Sequence, residues 1–356
     1  QGVRRIEAVT GTGATEFARG REKVLEKAAA VLKAPVEEVS LRVEQQLKRT
    51  KDLQKEVSDL WRHTLGNEFG PVDRLTRIFY NKKYFHYPLT PADLLLKLGP
   101  LELMQSFLSW MASRLKPNAR VLNFEDWVIK KFGKKLYVSF FKIYTEKVWG
   151  IPCNQISQQW ADQRIKGLDA STLLKRTFIP GMAGQIKTLA EQFDYPRLGA
   201  GQMYETIKEQ LVAQDVRVMF NARVTRIKNT HKRIESVDLV DAEGNERNVS
   251  AEYFFSSIPL KHFFNMTQVA ESDRLRESVN ALRYRDHITV NLLLEGENLF
   301  PDQWIYVHDQ ALRLARLANY NNFSKGMVGT QGLTALSAEY FSFQGDDIWN
   351  KPDSLL

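Results

Sequence analysis

One cysteine stands in 356 residues, Cys153. An internal disulfide is therefore excluded, and so is a cysteine-rich metal site; the usage suits a reducing, cytoplasmic compartment. The six histidines, at 63, 86, 231, 262, 287 and 308, have no metal-ligand spacing, so no metal site is assigned. No apolar run is long enough to span a bilayer: the most apolar window, Leu94–Met111, contains Lys97, Gly99, Pro100 and Glu102. No secretory signal is read in these residues. Charge of one sign is not in large excess. Fifty Lys and Arg against 42 Asp and Glu give +8, scattered enough to read as solvated surface rather than a polyanion site.

What is present is ordinary globular material, 43% hydrophobic and 26% charged, with length for two or three domains. The chain is organised around Phe193–Met203. Pro196 holds the residues before it extended. Gly199 and Gly201 permit a sharp turn or the close approach of something flat. Met203, Ile207 and Leu211 then mark one face of a helix. A helix N-terminus placed after such a turn suits a planar or anionic ligand. Extended segments are expected at Val216–Phe220, Val224–Ile227, Arg233–Val240 and Tyr253–Ile258, with turns at Asn221 and Asp241–Asn245.

Elsewhere the punctuation is local. Val3–Val9 reads as a short strand. Thr12 to Leu32 is helical until Ala34–Pro35 breaks it, and a second amphipathic run carries Val43, Leu47, Leu53, Val57 and Leu60; two such helices read as an antiparallel pair or coiled coil. Arg77–Tyr80 and Lys83–Phe85 form an aromatic hairpin turned at Asn81–Lys82. Thr90–Pro91 starts a helix to Leu98, and Leu101–Leu115 forms another. Phe124–Lys131 and Lys135–Trp149 are helical and divided at Gly133. Ser157–Gly167 is a further helix, with Trp160 and Arg164 on one face. Ile288–Glu295, Gln303–Val307 and Thr334–Phe343 are expected in one sheet.

Val9–Glu16 imitates a dinucleotide fingerprint, but Glu16 occupies the third glycine position. The preceding strand carries Arg4, Arg5 and Glu7, which suits a surface strand.

Several runs, in order, carry a resemblance: FEDWVIKKFGKKLYVSFFKIYTEKVWG (Phe124–Gly150), WADQRIKGL (Trp160–Leu168), YPRLGAGQM (Tyr195–Met203), SSIPL (Ser256–Leu260), WIYVHD (Trp304–Asp309) and EYFSFQGDDIW (Glu339–Trp349). From about Val57 onward the chain resembles FAD-dependent amine oxidase and protoporphyrinogen-oxidase-like flavoproteins, whose structural cousins are the UDP-galactopyranose-type mutases. The fold this implies is α/β (α+β), with a helical substrate-side part at about 90–190 and a mixed or antiparallel sheet with the FAD side at about 191–356. Gly2–Gly11, GVRRIEAVTG, and the helices after it resemble the C-terminal region of alanyl-tRNA synthetase. Domains are therefore expected at 1–54 and 55–356, a fusion with no Gly/Pro/Ser linker and an unbroken helix at the join.

The flavoprotein resemblance implies FAD as cofactor and a small-molecule substrate: an amine, a porphyrinogen or a carotenoid-like polyene. It assigns Val224, Ser256, Ser257 and Pro259 to the adenine end of FAD. Gly199, Gly201 and Met203 fall beside the flavin, and Tyr195, Arg197, Trp304 and Tyr306 at the substrate. No catalytic residue is assigned. Such proteins carry a GxGxxG turn at the start and a flavin-covering segment at the end; neither is read here, so weak FAD binding and an inactive isolated chain are expected. A flavin-dependent mutase and a tRNA-associated module led by residues 1–54 are the alternatives. Oligomeric state is not assigned.

Overall fold

The computed structural model describes residues 12–115, 120–164, 191–230, 233–267, 273–329 and 332–352. The expected strand at Val3–Val9, the Gly2–Gly11 match, His231 and the end of the Ser157–Gly167 helix lie outside the described residues. The chain divides into two units, Gln1–Asn67 and Glu68–Leu356.

Unit 1 is a helical pair. Helix α1 (Thr12–Leu32) ends where Lys33 adopts a positive φ of 50° ahead of Pro35, and a short 3₁₀ turn at Val36–Glu38 reverses the chain. Helix α2 (Val39–Leu65) runs without a break through residues 51–57 to Gly66, whose N–H closes on the Arg62 carbonyl. Ala29 and Val39 are buried beside the turn. Val24, Val31, Leu47, Leu53, Val57 and Leu60, which belong to the apolar faces, stand exposed. Packing within the pair is concentrated at its closed end.

Unit 2 opens with β1 (Phe69–Asp73) and the hairpin β2 (Thr76–Tyr80) and β3 (Lys83–His86). Asn81 and Lys82 both take left-handed φ, 48° and 60°, the geometry of a two-residue turn that matches strand twist. Thr90 Oγ1 accepts from the Asp93 N–H and caps α3 (Pro91–Leu98). Gly99 (φ 85°) separates it from α4 (Pro100–Arg114). Asn123 caps α5 (Phe124–Phe132) in the same way. At Gly133 a Cβ would lie 2.6 Å from the Trp110 backbone nitrogen, so α5 and α4 touch backbone to side-chain space that only glycine leaves open. Helix α6 (Lys134–Tyr137), a π-turn at Val138–Lys142 and α7 (Ile143–Trp149) follow, stopped by left-handed Gly150, and then α8 (Gln158–Arg164). Phe124, Trp127, Val128, Phe132, Tyr137, Cys153, Ile156 and Ala161 form the core of these helices. Burial of Phe124 alone is worth roughly 1.5–3 kcal/mol.

Strand β4 (Gln192–Pro196) pairs with β1, the glycine turn follows, and α9 (Gly201–Val212) starts. Strands β5 (Arg223–Asn229), β6 (Ile234–Val240) and β7 (Glu246–Ser250) form an antiparallel meander. Asp241 organises its second turn by accepting from the Glu243 and Asn245 N–H groups and from Arg247. Two expected strands are absent as strands here. Val216–Phe220 has no strand partner among the described residues, and the meander closes with the polar β7 rather than with Tyr253–Ile258. The tight turn at Asp241–Asn245 sets Glu246 opposite Val240, so β6 has its partner before the apolar segment begins. Helices α10 (Leu260–Met266) and α11 (Asp273–Asn280) lead to β8 (Asp286–Glu295), β9 (Trp304–Val307), β10 (Arg316–Asn319) and β11 (Leu333–Ser342). The main sheet has the order β3-β2-β9-β10-β11-β8 and is antiparallel except for β2 beside β9, a mixed sheet as expected. Ile78, Phe85, Leu94, Leu98 and Phe140 seal the hairpin against the helices.

Candidate functional site

Strand periodicity builds an aromatic wall. On β9 Ile305 and Val307 are buried, while Trp304 and Tyr306 alternate onto the other side. Tyr306 meets Tyr87 and Tyr144 edge-on, with ring centroids 5.1 Å away in both cases. Tyr144 lies flat on His308, 4.9 Å and 10° between planes. At the other end Trp304 stacks on Phe323 at 5.8 Å, and Phe323 also touches Phe193 and Tyr195. Edge and offset geometries of this kind add to what burial alone contributes.

Buried polar groups fix the wall. Asp302 is fully buried and takes a two-pronged contact from Arg77, Nε to Oδ1 at 2.7 Å and Nη2 to Oδ2 at 2.5 Å. Gln303 accepts from the Leu75 N–H and donates to the carbonyls of Asp73 and Asn322. Asn322 donates to the carbonyls of Phe300 and Asp302. Arg316 Nε donates to Glu339 Oε2 at 2.7 Å, and His287 Nε2 lies 3.1 Å from the same oxygen. The Lys147 ammonium donates to the carbonyls of Val307, Asp309 and Leu314.

Burial dominates the electrostatics. It pushes the Tyr144 and Tyr87 hydroxyls up, each helped by Tyr306, so both remain neutral donors near neutral pH. It pushes His308 down to about 3, with Lys147 adding to the effect, and Lys147 itself down to about 8. The His308 Nδ1 and Trp304 Nε1 atoms are buried without a hydrogen-bond partner among the described residues.

The turn at the organising stretch is docked beside this wall. The Arg197 carbonyl accepts from Ser324 Oγ at 2.7 Å, and a Cβ on Gly326 would lie 2.7 Å from the same oxygen. The Arg197 side chain forms an exposed ion pair with Glu68 at 2.6 Å. Gly199 has φ +95° and faces the Met327 methyl. Gly201 has open space in front of it, and Met203 is half-buried on α9.

Tyr195, Arg197, Gly199, Trp304 and Tyr306 are thus brought to one region. Val224 is elsewhere, half-buried on β5, and Ser256, Ser257 and Pro259 lie in an exposed segment in which Phe255 is 97% exposed. Sequence reasoning had not singled out Phe323, His308, Lys147 or the Arg316–Glu339 pair for the site. The alternation Phe193–Tyr195 and Trp304–Tyr306 signals two aromatic strand faces, whereas nothing in the sequence ties Phe323 to them.

The backbone donors of the glycine turn are engaged within the chain. In the strand–turn–helix β4–α9 the Leu198 N–H is taken by the Gln202 side chain, the Gly199 N–H by the Pro196 carbonyl and the Gln202 N–H by the Gly199 carbonyl. Among the described residues no three His, Cys, Asp or Glu side chains stand together as metal ligands, and no helix is long and apolar enough to cross a membrane.

No protein-family model matches the chain. A reduced UDP-galactopyranose mutase superposes with a TM-score of 0.69 at 18% identity, covering 84% of this chain and 62% of the mutase. The fold is mixed α/β and similar to that of FAD-dependent oxidoreductases. A candidate protoporphyrinogen oxidase from an Exiguobacterium species gives a TM-score of 0.57 at 12% identity over 84% of this chain and 66% of its own. Among curated proteins, the alanine–tRNA ligase of Fervidobacterium nodosum is 34% identical over 83 residues, 23% of this chain and 9% of the ligase. The chain thus spans under two thirds of the mutase and a small part of the ligase.

Proposed function

We propose that Glu68–Leu356 is the substrate-side part of a flavin-dependent oxidoreductase and that the wall of Tyr195, Trp304 and Tyr306 receives the substrate. The observation that carries this reading is a continuous aromatic surface, held by Asp302, Gln303 and Glu339, on a fold like that of flavoproteins. Flat apolar or ring-bearing substrates fit it: a polyene, a porphyrinogen or an aromatic amine. Arg197 at the rim is held only by an exposed ion pair, worth about 0–1 kcal/mol, so an anionic group could exchange for Glu68. Gly199, Gly201 and Met203 border the flavin side in this reading, with Val224, Ser256, Ser257 and Pro259 toward the adenine end. FAD itself is the proposed cofactor, and the expectation that the chain as given retains little of it rests on the GxGxxG turn not being read in the sequence.

A mutase acting on a sugar nucleotide is the second reading, favoured by the 0.69 TM-score to UDP-galactopyranose mutase. The two separate in one titration. Tryptophan fluorescence is followed with protoporphyrin IX and with UDP-galactose, on the parent chain and on Trp304→Phe. A response to one ligand that disappears in Trp304→Phe places that substrate class at the wall. No Trp304-dependent response to either removes the wall as the site. For the cofactor, the absorbance spectrum is taken after gel filtration with excess FAD. Stoichiometric retained flavin overturns the reading of the turn.

Residues 1–54 form, in this proposal, a synthetase-like helical appendage with a weak tRNA contact. Steep salt dependence of tRNA binding supports it, and binding indifferent to salt removes it. The single cysteine supports a cytoplasmic setting.

A further inference from the structure

Among the described residues six side-chain atoms are buried without a hydrogen-bond partner, and three of them stand in one line. The register of the main sheet sets Thr76 opposite Trp304, Trp304 opposite Ala318, and Ala318 opposite Ser337. Residues paired in this way share a face of the sheet. Thr76 Oγ1, Trp304 Nε1 and Ser337 Oγ therefore form a row across β2, β9, β10 and β11, on the face that bears Tyr306. With strands roughly 4.8 Å apart, the row is about 15 Å long. Thr76 is 2% exposed and Ser337 0%. Folded chains pair almost every buried polar group, because an unmade hydrogen bond keeps its full desolvation cost. A core tolerates one exception; three in a single row are a pattern. A fourth such atom, His308 Nδ1, belongs to the ring that lies flat on Tyr144 at the same wall.

The chemistry of the row decides what can satisfy it. The indole N–H only donates, while the two hydroxyls donate or accept. A partner has to bring at least one acceptor to Trp304. The row itself carries no charge. The adjacent row of the same face holds Arg316 and Glu339, which stand opposite each other and are already paired. An ammonium has no lone pair to offer the indole. A carboxylate would lose its hydration with no counter-ion left for it. An un-ionised hydroxyl, ether or carbonyl oxygen suits every member. We infer that this row is the polar floor of the wall, and that the substrate is a flat or ring-shaped molecule bearing un-ionised oxygens. The inference rests on the wall being the substrate site. Within that reading it selects an oxygenated polyene or ring over a bare polyene and over a cationic amine. Phe323, half-buried at the end of the short turn Tyr320–Asn322, lies over Trp304 and turns aside to admit such an oxygen.

The test is equilibrium dialysis of the full chain, at neutral pH, against four probes that share one ring system: naphthalene, β-naphthol, β-naphthoate and β-naphthylmethylammonium. β-Naphthol is expected to bind about tenfold more tightly than the other three. That advantage is expected to vanish in the double variant Thr76→Val/Ser337→Ala. The ligand-free melting temperature of this variant should equal or exceed the parent's, since the hydroxyls removed have no partner to lose. Naphthalene bound as tightly as β-naphthol, with both weakened by Trp304→Ala, overturns the floor and leaves the wall standing. Tightest binding of the ammonium or the carboxylate overturns the substrate chemistry assigned here. A melting temperature lowered in the double variant also overturns the inference, because the hydroxyls are then bonded within the fold. If Trp304→Ala weakens the binding of no probe, the wall falls as the site and the inference falls with it.

Discussion

The aromatic wall and the segments expected at the cofactor's adenine end differ in how completely the fold uses them. Around Trp304 and Tyr306 the polar groups Asp302, Gln303, Asn322 and Glu339 are bonded to named partners. In Val216–Phe220 and Tyr253–Pro259 the chain is equally apolar, yet unpaired, and Phe255 and Tyr253 face solvent. β-rich composition therefore does not make a strand; a hydrogen-bonding partner does. The wall has one on each side, β2 and β10 flanking β9, and the other segments have none among the described residues. Mutations should be felt strongly in the first region and weakly in the second.

The largest expected effect is at Asp302. Asp302→Ala leaves the half-buried Arg77 without its carboxylate and should cost about 3–5 kcal/mol in urea unfolding. Ser256→Ala, in the exposed segment, should stay within about 0.5 kcal/mol. Equal costs at the two sites would erase the distinction between the regions.

The next effect is in pH. His308 sits at about 3 in the folded chain against an ordinary 6.5. The unfolded chain then binds the extra proton between those values, so stability falls as pH drops from 6.5 toward 3, by at most about 1.4 kcal/mol per pH unit. Lys147 sits at about 8 against 10.5, so the unfolded chain binds more protons in that window and stability rises as pH climbs through it. His308→Phe, which keeps a ring against Tyr144, should flatten the acid slope; Lys147→Met should flatten the alkaline one. Unfolding free energies measured from pH 4 to 10 check both. An acid slope unchanged in His308→Phe would mean that the ring is not kept neutral by its burial.

What was legible in the sequence follows the same division. The hairpin at Asn81–Lys82, the Thr90 cap and the helix end at Trp149 are local, and local chemistry names them. Strands β8, β9 and β11 carry enough apolar alternation to be read. Strand β7, Glu-Arg-Asn-Val-Ser, is exposed at every position and offers no pattern. Strand β1 contains Gly70 and Pro71, which argue against a strand until β4 supplies its partner. At the wall, Tyr195, Trp304 and Tyr306 come from the flavoprotein resemblance and not from a local pattern. The contact of Lys147 with three carbonyls of a loop 160 residues away depends on topology that no local signal holds.

The smallest effects lie at the glycine turn and sharpen the comparison most, because they place two glycines of one turn on opposite sides of it. Gly199 belongs to the packed region: its φ of +95° is strained for any L side chain, and Met327 fills the space before it. Gly199→Ala should cost about 1–2 kcal/mol of stability. Met327 can swing aside, so the cost comes chiefly from the backbone. Gly201 has an ordinary φ and open space where a Cβ would go, at the start of α9. Gly201→Leu should change stability by less than about 0.5 kcal/mol. If the space before Gly201 is where substrate or flavin approaches, the branched side chain fills it. The ligand that answers at Trp304 should then bind more than tenfold more weakly, at least about 1.4 kcal/mol, at an unchanged melting temperature. Affinity and melting temperature measured on the same two variants separate the roles. Should Gly201→Leu lose stability and keep its affinity per folded molecule, Gly201 serves the fold as Gly199 does, and the ligand-facing side of the turn must be sought elsewhere.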